Sequence, residues 1–131
     1  MEEYRNEAGH LHREDGPART WPDGTQEWYI KGRLHREGEP AFIWPDGSLE
    51  WWVNNKRHRE NGPAYISASG SQHWYINSKR RREDGLPYIL NKTYNTMTLS
   101  NGEVVPMSAD DYEKYQYKPT GRFTKAALRE N

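Results

Sequence analysis

The chain contains no cysteine and only two phenylalanines, and Leu, Ile, Val and Phe together number 17 of its 131 residues. The first absence excludes disulfides, thiolate zinc sites and thiol nucleophiles at once. The second excludes a thick aliphatic core. No window approaches the run of about 20 apolar residues that a membrane-spanning helix needs. Met1-Glu2-Glu3-Tyr4 also has neither the basic start nor the apolar stretch of a signal peptide, so the expectation is a soluble, cytoplasmic protein. An excess of either charge is missing too, with 19 basic and 19 acidic side chains. Residues 1–90 carry 13 against 14 and residues 91–131 carry 6 against 5, a balance that argues against binding to duplex nucleic acid as the main task. What is present is aromatic: six Trp and nine Tyr supply the large buried areas that aliphatics otherwise provide. The composition implies one folded domain with a thin, aromatic core.

The dominant pattern is a 23-residue period. His12-Arg13-Glu14-Asp15 returns as His35-Arg36-Glu37-Gly38, His58-Arg59-Glu60-Asn61 and Arg81-Arg82-Glu83-Asp84. Trp28, Trp51 and Trp74 keep the same interval, as do Gly24, Gly47 and Gly70, which sets the register independently of the charged tetrad. Self-similarity at a fixed short period is the signature of a repeat architecture.

Within one unit, Pro17-Ala18-Arg19-Thr20-Trp21 is extended in character, Pro22-Asp23-Gly24 is a turn signal, and Thr25 to Ile30 is rich in β-branched and aromatic residues. This predicts a β-hairpin, with Gly24 supplying a positive φ and Lys31 to Gly38 returning the chain to the next unit. Side chains alternate across a strand, so Gln26, Trp28 and Ile30 share one face and Glu27 and Tyr29 the other. The period places Thr20, Ile43, Ile66 and Ile89 with the Trp column. It places Arg19, Phe42, Tyr65 and Tyr88 opposite, beside Tyr29, Trp52 and Tyr75.

Trp51-Trp52-Val53-Asn54-Asn55-Lys56-Arg57-His58 followed by Gly62 and Gly70, together with Pro22-Asp23-Gly24 and Pro45-Asp46-Gly47, resembles the MORN-repeat family over roughly residues 7–90. The Leu-His-Arg-Glu-Asp-Gly-Pro-Ala form seen at Leu11–Ala18 is similar to a variant met in bacteriophage and giant-virus proteins. The resemblance implies a mainly β fold, a single-layer solenoid of β-hairpins, used as a scaffold for partners. The sequence departs from the family at Arg13 and Glu14, where Gly is usual, and at Asn55 and Ser78, which replace Gly32 at its period. The fourth unit is eroded, with Leu86-Pro87 for Gly-Pro.

Residues 1–90 are thus four hairpin repeats, and residues 91–131 a C-terminal cap of one hairpin and short helices. Tyr94–Leu99 and Val104-Val105 flank an Asn101-Gly102 turn. Ser108 is a candidate N-cap, with Asp110 and Asp111 in the first turn, and Pro119-Thr120-Gly121 stops that helix before a last one over Phe123 to Arg129. The cap is expected to cover the open end of the solenoid, with docking on a face or projection toward a partner as the alternatives.

The His12, His35, His58 column invites a metal. However, equivalent residues in adjacent two-strand units lie roughly 10 Å apart, too far for one zinc ion. A structural role, packing or hydrogen-bonding at the corner between units, is expected instead, and no metal or cofactor. No Gly-x-Ser-x-Gly, phosphate-cradling glycine loop or His-Glu-x-x-His occurs, so catalytic residues are not assigned. Trp21, Tyr29, Trp44, Trp52 and Tyr75 are the candidate contact residues for a protein partner, because Trp and Tyr dominate interface hot spots. Lys56, Arg57, Arg59, Lys79, Arg80, Arg81 and Arg82 form a basic edge that could meet an anionic ligand such as a nucleotide, nucleic acid or lipid headgroup. The expected function is a non-catalytic protein–protein interaction module. The viral flavour of the repeat suggests a phage protein that binds and inhibits or redirects a host defence or toxin factor. Homodimerisation through an open sheet edge is a further possibility.

Overall fold

A computed structural model of the chain describes residues 1–118 and is mainly β, with sixteen short strands and one helix among those residues. In chain order these are β1 (Glu2–Glu3), β2 (Arg19–Thr20), β3 (Gln26–Glu27), β4 (Tyr29–Ile30), β5 (Arg33–Leu34), β6 (Phe42–Ile43), β7 (Leu49–Glu50) and β8 (Trp52–Val53). They continue as β9 (Lys56–Arg57), β10 (Tyr65–Ile66), β11 (Gln72–His73), β12 (Tyr75–Ile76), β13 (Lys79–Arg80), β14 (Ile89–Asn91), β15 (Thr96–Thr98) and β16 (Val104–Pro106), followed by α1 (Ala109–Tyr115). Ten strands make one antiparallel sheet in the order β1-β2-β3-β6-β7-β10-β11-β14-β15-β16. Three two-stranded ribbons, β4-β5, β8-β9 and β12-β13, stand beside it.

The predicted hairpin turn forms as its residues dictate. Trp21 and Thr25 close it, Gly24 has φ +97°, and the Asp23 carboxylate accepts the Thr25 amide at 2.9 Å. Those hydrogen bonds hold the Asp23 carboxyl below its usual range, as Ser48 does for Asp46. The segment predicted as the second hairpin strand, however, divides at its tryptophan. Trp28 donates its amide to Ala41 of the next unit, while its carbonyl accepts from His35, so the chain leaves the main sheet there and folds into a second hairpin. Trp51 makes the same exchange with Ala64 and His58, and Trp74 with Tyr88 and Arg81.

The second hairpin turns on Lys31-Gly32, Asn54-Asn55 and Asn77-Ser78, every one with positive φ. Two-residue turns of that hand match the twist of the flanking strands. Asn tolerates the left-handed region, whereas Lys31 at φ +51° and Ser78 at φ +70° are the strained members of the series.

Two features of the repeat differ from the expectation. Tyr4 exchanges hydrogen bonds with Ala18 and His12 as Trp28 does with Ala41 and His35, so the array extends back to Glu2 through a stretch that contains one additional residue. In the fourth unit Leu86 is also additional. The Arg82 guanidinium reaches the carbonyl five residues on, at Pro87, where Arg13, Arg36 and Arg59 reach four residues on. Gln72 consequently pairs with Leu90, whereas Gln26 and Leu49 pair with Ile43 and Ile66. A one-residue slip exchanges the two faces of a strand. Ile89 therefore lies on the face opposite the Trp column and Tyr88 takes the alanine position of the earlier units, the reverse of what strict periodicity assigns.

Ala18, Ala41 and Ala64 are fully buried, which lets neighbouring strands and loops approach closely. One core cluster joins Leu49, Trp51, Ala64 and Tyr75, and a second joins Trp74, Leu90 and Met107. Helix α1 has the predicted cap: Ser108 accepts the Asp111 amide at 3.0 Å and Asp111 accepts the Ser108 amide at 2.9 Å. It docks on a face rather than covering the sheet end, with Tyr112 and Tyr115 packed on the Trp74–Leu90–Met107 cluster and the Tyr112 hydroxyl donating to the Gly70 carbonyl at 2.8 Å. The helix ends at Tyr115, ahead of Pro119. The helical turn expected at Phe123 to Arg129 lies outside the described residues.

Candidate functional site

The face away from the Trp28–Trp51–Trp74 column is organised by two carboxylates. Antiparallel pairing puts Glu27 beside Arg19 and Phe42, and Glu50 beside Phe42 and Tyr65, all on that one face. Glu27 and Glu50 are each only 5% exposed, so each needs partners. Glu27 accepts the Trp21 indole N–H at 2.5 Å and the Tyr29 hydroxyl at 2.8 Å, with Arg19 at 3.5 Å. Glu50 accepts the indole N–H of Trp44 at 2.6 Å and of Trp52 at 2.8 Å, with Arg57 at 3.2 Å. Burial, with the Glu27 hydrogen bond second, pushes the Tyr29 hydroxyl up to about 12.

The third member of this column is His73. Desolvation, then the charges of Arg80 and Arg57, lowers it to about 4, so it is neutral at pH 7. The sequence offers a signal for these organisers, since Glu27 and Glu50 share the 23-residue interval on the aromatic face. Abundant glutamate on the tetrad loops masks it.

The five predicted contact residues separate into three grades. Trp21 and Trp44 are the most open, at 38% and 40% exposed, and Trp44 also lies against Phe42 with ring centroids 4.5 Å apart. Tyr29 and Trp52 are half-buried. Tyr75 is a correction: it is buried, and its hydroxyl accepts from Arg80 at 3.2 Å. The bulk of Tyr75 joins the Leu49–Trp51–Ala64 cluster and is therefore unable to serve as an exposed anchor.

The proposed basic edge does not come together as one patch. Arg59 lies over Trp51 at 3.9 Å and Arg82 over Trp74 at 4.1 Å, on the Trp-column face. Arg57 sits on the opposite face, 5.3 Å from the Trp52 and Tyr75 centroids, and is paired with Glu50. Lys56, Lys79, Arg80 and Arg81 remain exposed, with Arg81 paired to Glu83 at 3.1 Å. The alternation of strand side chains disperses these cations although the sequence bunches them.

The histidine column links units. Nδ1 of His12, His35 and His58 accepts the amide of Lys31, Asn54 and Asn77 in the following unit's tight turn, at 2.9, 3.1 and 3.1 Å. That use of Nδ1 leaves Nε2 protonated and facing Glu14, Glu37 and Glu60 at 3.6, 2.7 and 3.3 Å. No group of three or more His, Asp or Glu side chains converges to hold a metal ion among the described residues. Among those residues, too, no helix is long and apolar enough to cross a membrane.

On the Trp-column face, the chain after α1 is held by a reciprocal pair. The Gln72 side chain accepts the Tyr117 amide at 2.7 Å and donates to the Tyr117 carbonyl at 3.2 Å. The Tyr117 hydroxyl accepts from Arg59 at 3.0 Å, with its ring 4.6 Å from the guanidinium. Nothing in the sequence pattern announces this latch, because Tyr117 stands outside the period. Compared with known proteins, the chain matches no family model, no curated protein and no solved structure, so the functional reading rests on its own geometry.

Proposed function

We propose that the chain is a non-catalytic protein–protein interaction module, a MORN-like solenoid of β-hairpins, that binds its partner through the face bearing Trp21, Trp44, Tyr29 and Trp52. One observation carries this reading: Trp44 is 40% exposed while its indole N–H is pinned to the buried Glu50 carboxylate. A large aromatic ring held outward in one orientation loses little entropy on binding, which is the property of an interface anchor. Helix α1 packs on the other face and leaves this one open among the described residues. The resemblance at Leu11–Ala18 supports a phage origin and a bacterial host factor, such as a defence or toxin component, as the partner.

Both ends of the sheet are ill-suited to edge pairing between copies. β1 is two acidic residues and β16 ends in Pro106, which are devices that blunt an edge.

The test is affinity capture from a bacterial lysate with the intact chain and with a Trp21→Ser, Trp44→Ser double variant. Specific recovery of one protein by the intact chain, reduced at least about tenfold by the double variant, is expected, since two hot-spot residues are removed. Recovery unchanged by the double variant would overturn the assignment to this face.

A further inference from the structure

The site that holds Tyr117 is built from repeated residues, and the repeat contains a second copy of it. Arg59, Gly62 and Gln72 make the Tyr117 site, and two periods earlier the same columns hold Arg13, Gly16 and Gln26. Gly62 leaves room for the guanidinium and the phenol ring, since a Cβ there would stand 2.9 Å from the Arg59 guanidinium carbon and 3.0 Å from the Tyr117 ring. At Gly16 a Cβ would stand 2.8 Å from that of Arg13. Gln26 and Gln72 hold the same register position, paired to Thr20 and Ile66 within their hairpins. Arg13 engages the Pro17 carbonyl and Asp15 and lies 4.0 Å from the Tyr4 centroid, but its NH2 edge, which in Arg59 donates to Tyr117, has no partner among the described residues. The Gln26 side chain has none either.

The unit between them lacks the site. There the columns read Arg36, Glu39 and Leu49, and the Glu39 carboxylate takes the guanidinium edge at 2.9 Å. The two competent copies also differ in how full they are. The groove floored by Trp28 and Ile30 and walled by Arg13 to Pro17 has a volume of about 730 Å³, against about 280 Å³ for its counterpart over Trp74 and Ile76, which Tyr117 lines.

We infer that the Arg13–Gly16–Gln26 groove is a peptide-binding site that takes an extended, tyrosine-bearing segment of a partner protein, seated as Tyr117 is seated two units on. The Gln26 amide pairs with both backbone groups of the tyrosine, the phenol oxygen accepts from the Arg13 guanidinium, and Trp28 and Ile30 form the floor. This site lies on the opposite face from Trp21 and Trp44 and does not depend on their role.

The probe is a labelled synthetic peptide Tyr-Glu-Lys-Tyr-Gln-Tyr-Lys, the sequence of residues 112–118, titrated into the full chain by fluorescence anisotropy. Saturable binding is expected, weakened about tenfold when the last tyrosine of the peptide is replaced by phenylalanine, as for a lost hydrogen bond to a charged group. It is also expected to be abolished by Gly16→Glu or Gln26→Leu. Those two changes place at Gly16 and Gln26 the residues that the second unit carries there, Glu39 and Leu49, and a native melting curve for each variant confirms that it folds. No binding at millimolar peptide overturns the inference. So does binding that survives Gln26→Leu and disappears with Gln72→Leu, because the peptide would then merely be displacing the chain's own tail. Concentration-dependent dimers that vanish with Gln26→Leu would assign the groove to a second copy of this chain and overturn a foreign partner.

Discussion

The Arg36 guanidinium lies over the ring of Trp28, eight residues upstream, 4.0 Å from its centroid. Arg59 over Trp51 and Arg82 over Trp74 repeat the pair at 3.9 and 4.1 Å, and in each unit the same arginine also donates to a proline carbonyl on the tetrad loop. The tetrad arginine therefore clamps its own loop onto the tryptophan at which the chain leaves the main sheet. The two most regular columns of the sequence are one structural device.

Replacing Arg36 by Lys keeps the charge and removes the planar group that stacks and bonds the Pro40 carbonyl together. A loss of about 1–2 kcal/mol of unfolding free energy is expected, since stacked cation–π pairs and bidentate arginines do not tolerate lysine. Urea melts of the two proteins measure it, and equal midpoints would show that the clamp contributes nothing.

Glu50 receives Trp44 on one carboxylate oxygen and Trp52 with Arg57 on the other. In Glu50→Gln one of those oxygens becomes an amide donor facing another donor, whichever way the amide is turned. Destabilisation of about 2–4 kcal/mol is expected for this buried site, together with a red-shifted tryptophan emission as Trp44 or Trp52 loses its anchor. A native spectrum and melting curve would remove Glu50 from its organising role.

His73 faces the Tyr65 ring edge-on and the charges of Arg57 and Arg80, and its folded-state value is lowered to about 4. In the unfolded chain an ordinary histidine titrates near 6.5. Between those values the unfolded state binds the extra proton, so stability is full above about pH 6.5 and falls as the pH drops toward 4. Part of the ring is open to solvent, so the loss is about 1–2 kcal/mol, less than the full shift would imply. His73→Gln should flatten this stretch of the stability–pH curve, and an unchanged slope would show that other groups produce it.

Deleting Leu86 restores the 23-residue spacing and returns the fourth tetrad loop to the length of the earlier ones, where the arginine reaches the carbonyl four residues on. Leu90 then keeps the place that Ile43 and Ile66 hold in their units, opposite Gln72 and buried between Trp74 and Met107. A stability change within about 1 kcal/mol is expected, since no buried side chain changes its face. A loss of more than about 2 kcal/mol in a urea melt would show that Leu90 depends on the longer loop.

The period, the Pro-Asp-Gly turns, the Ser108 cap and the mainly β class follow from the chain's local chemistry, since turn conformation, strand alternation and capping depend on residues a few positions apart. The sequence alone also places Trp21, Tyr29, Trp44, Trp52 and Tyr75 on one side, because side-chain alternation is a property of every strand. Tertiary structure decided which of them stay open. Tyr75 is buried because Leu49, Trp51 and Ala64 meet it from the neighbouring unit, and Trp21 and Trp44 stand outward because a buried carboxylate holds each indole by its edge. It also decided the split of the basic edge, the face exchange after Leu86 and the seating of Tyr117 against Arg59 and Gln72. These depend on register and on contacts between residues as many as 58 positions apart, which no local periodicity encodes.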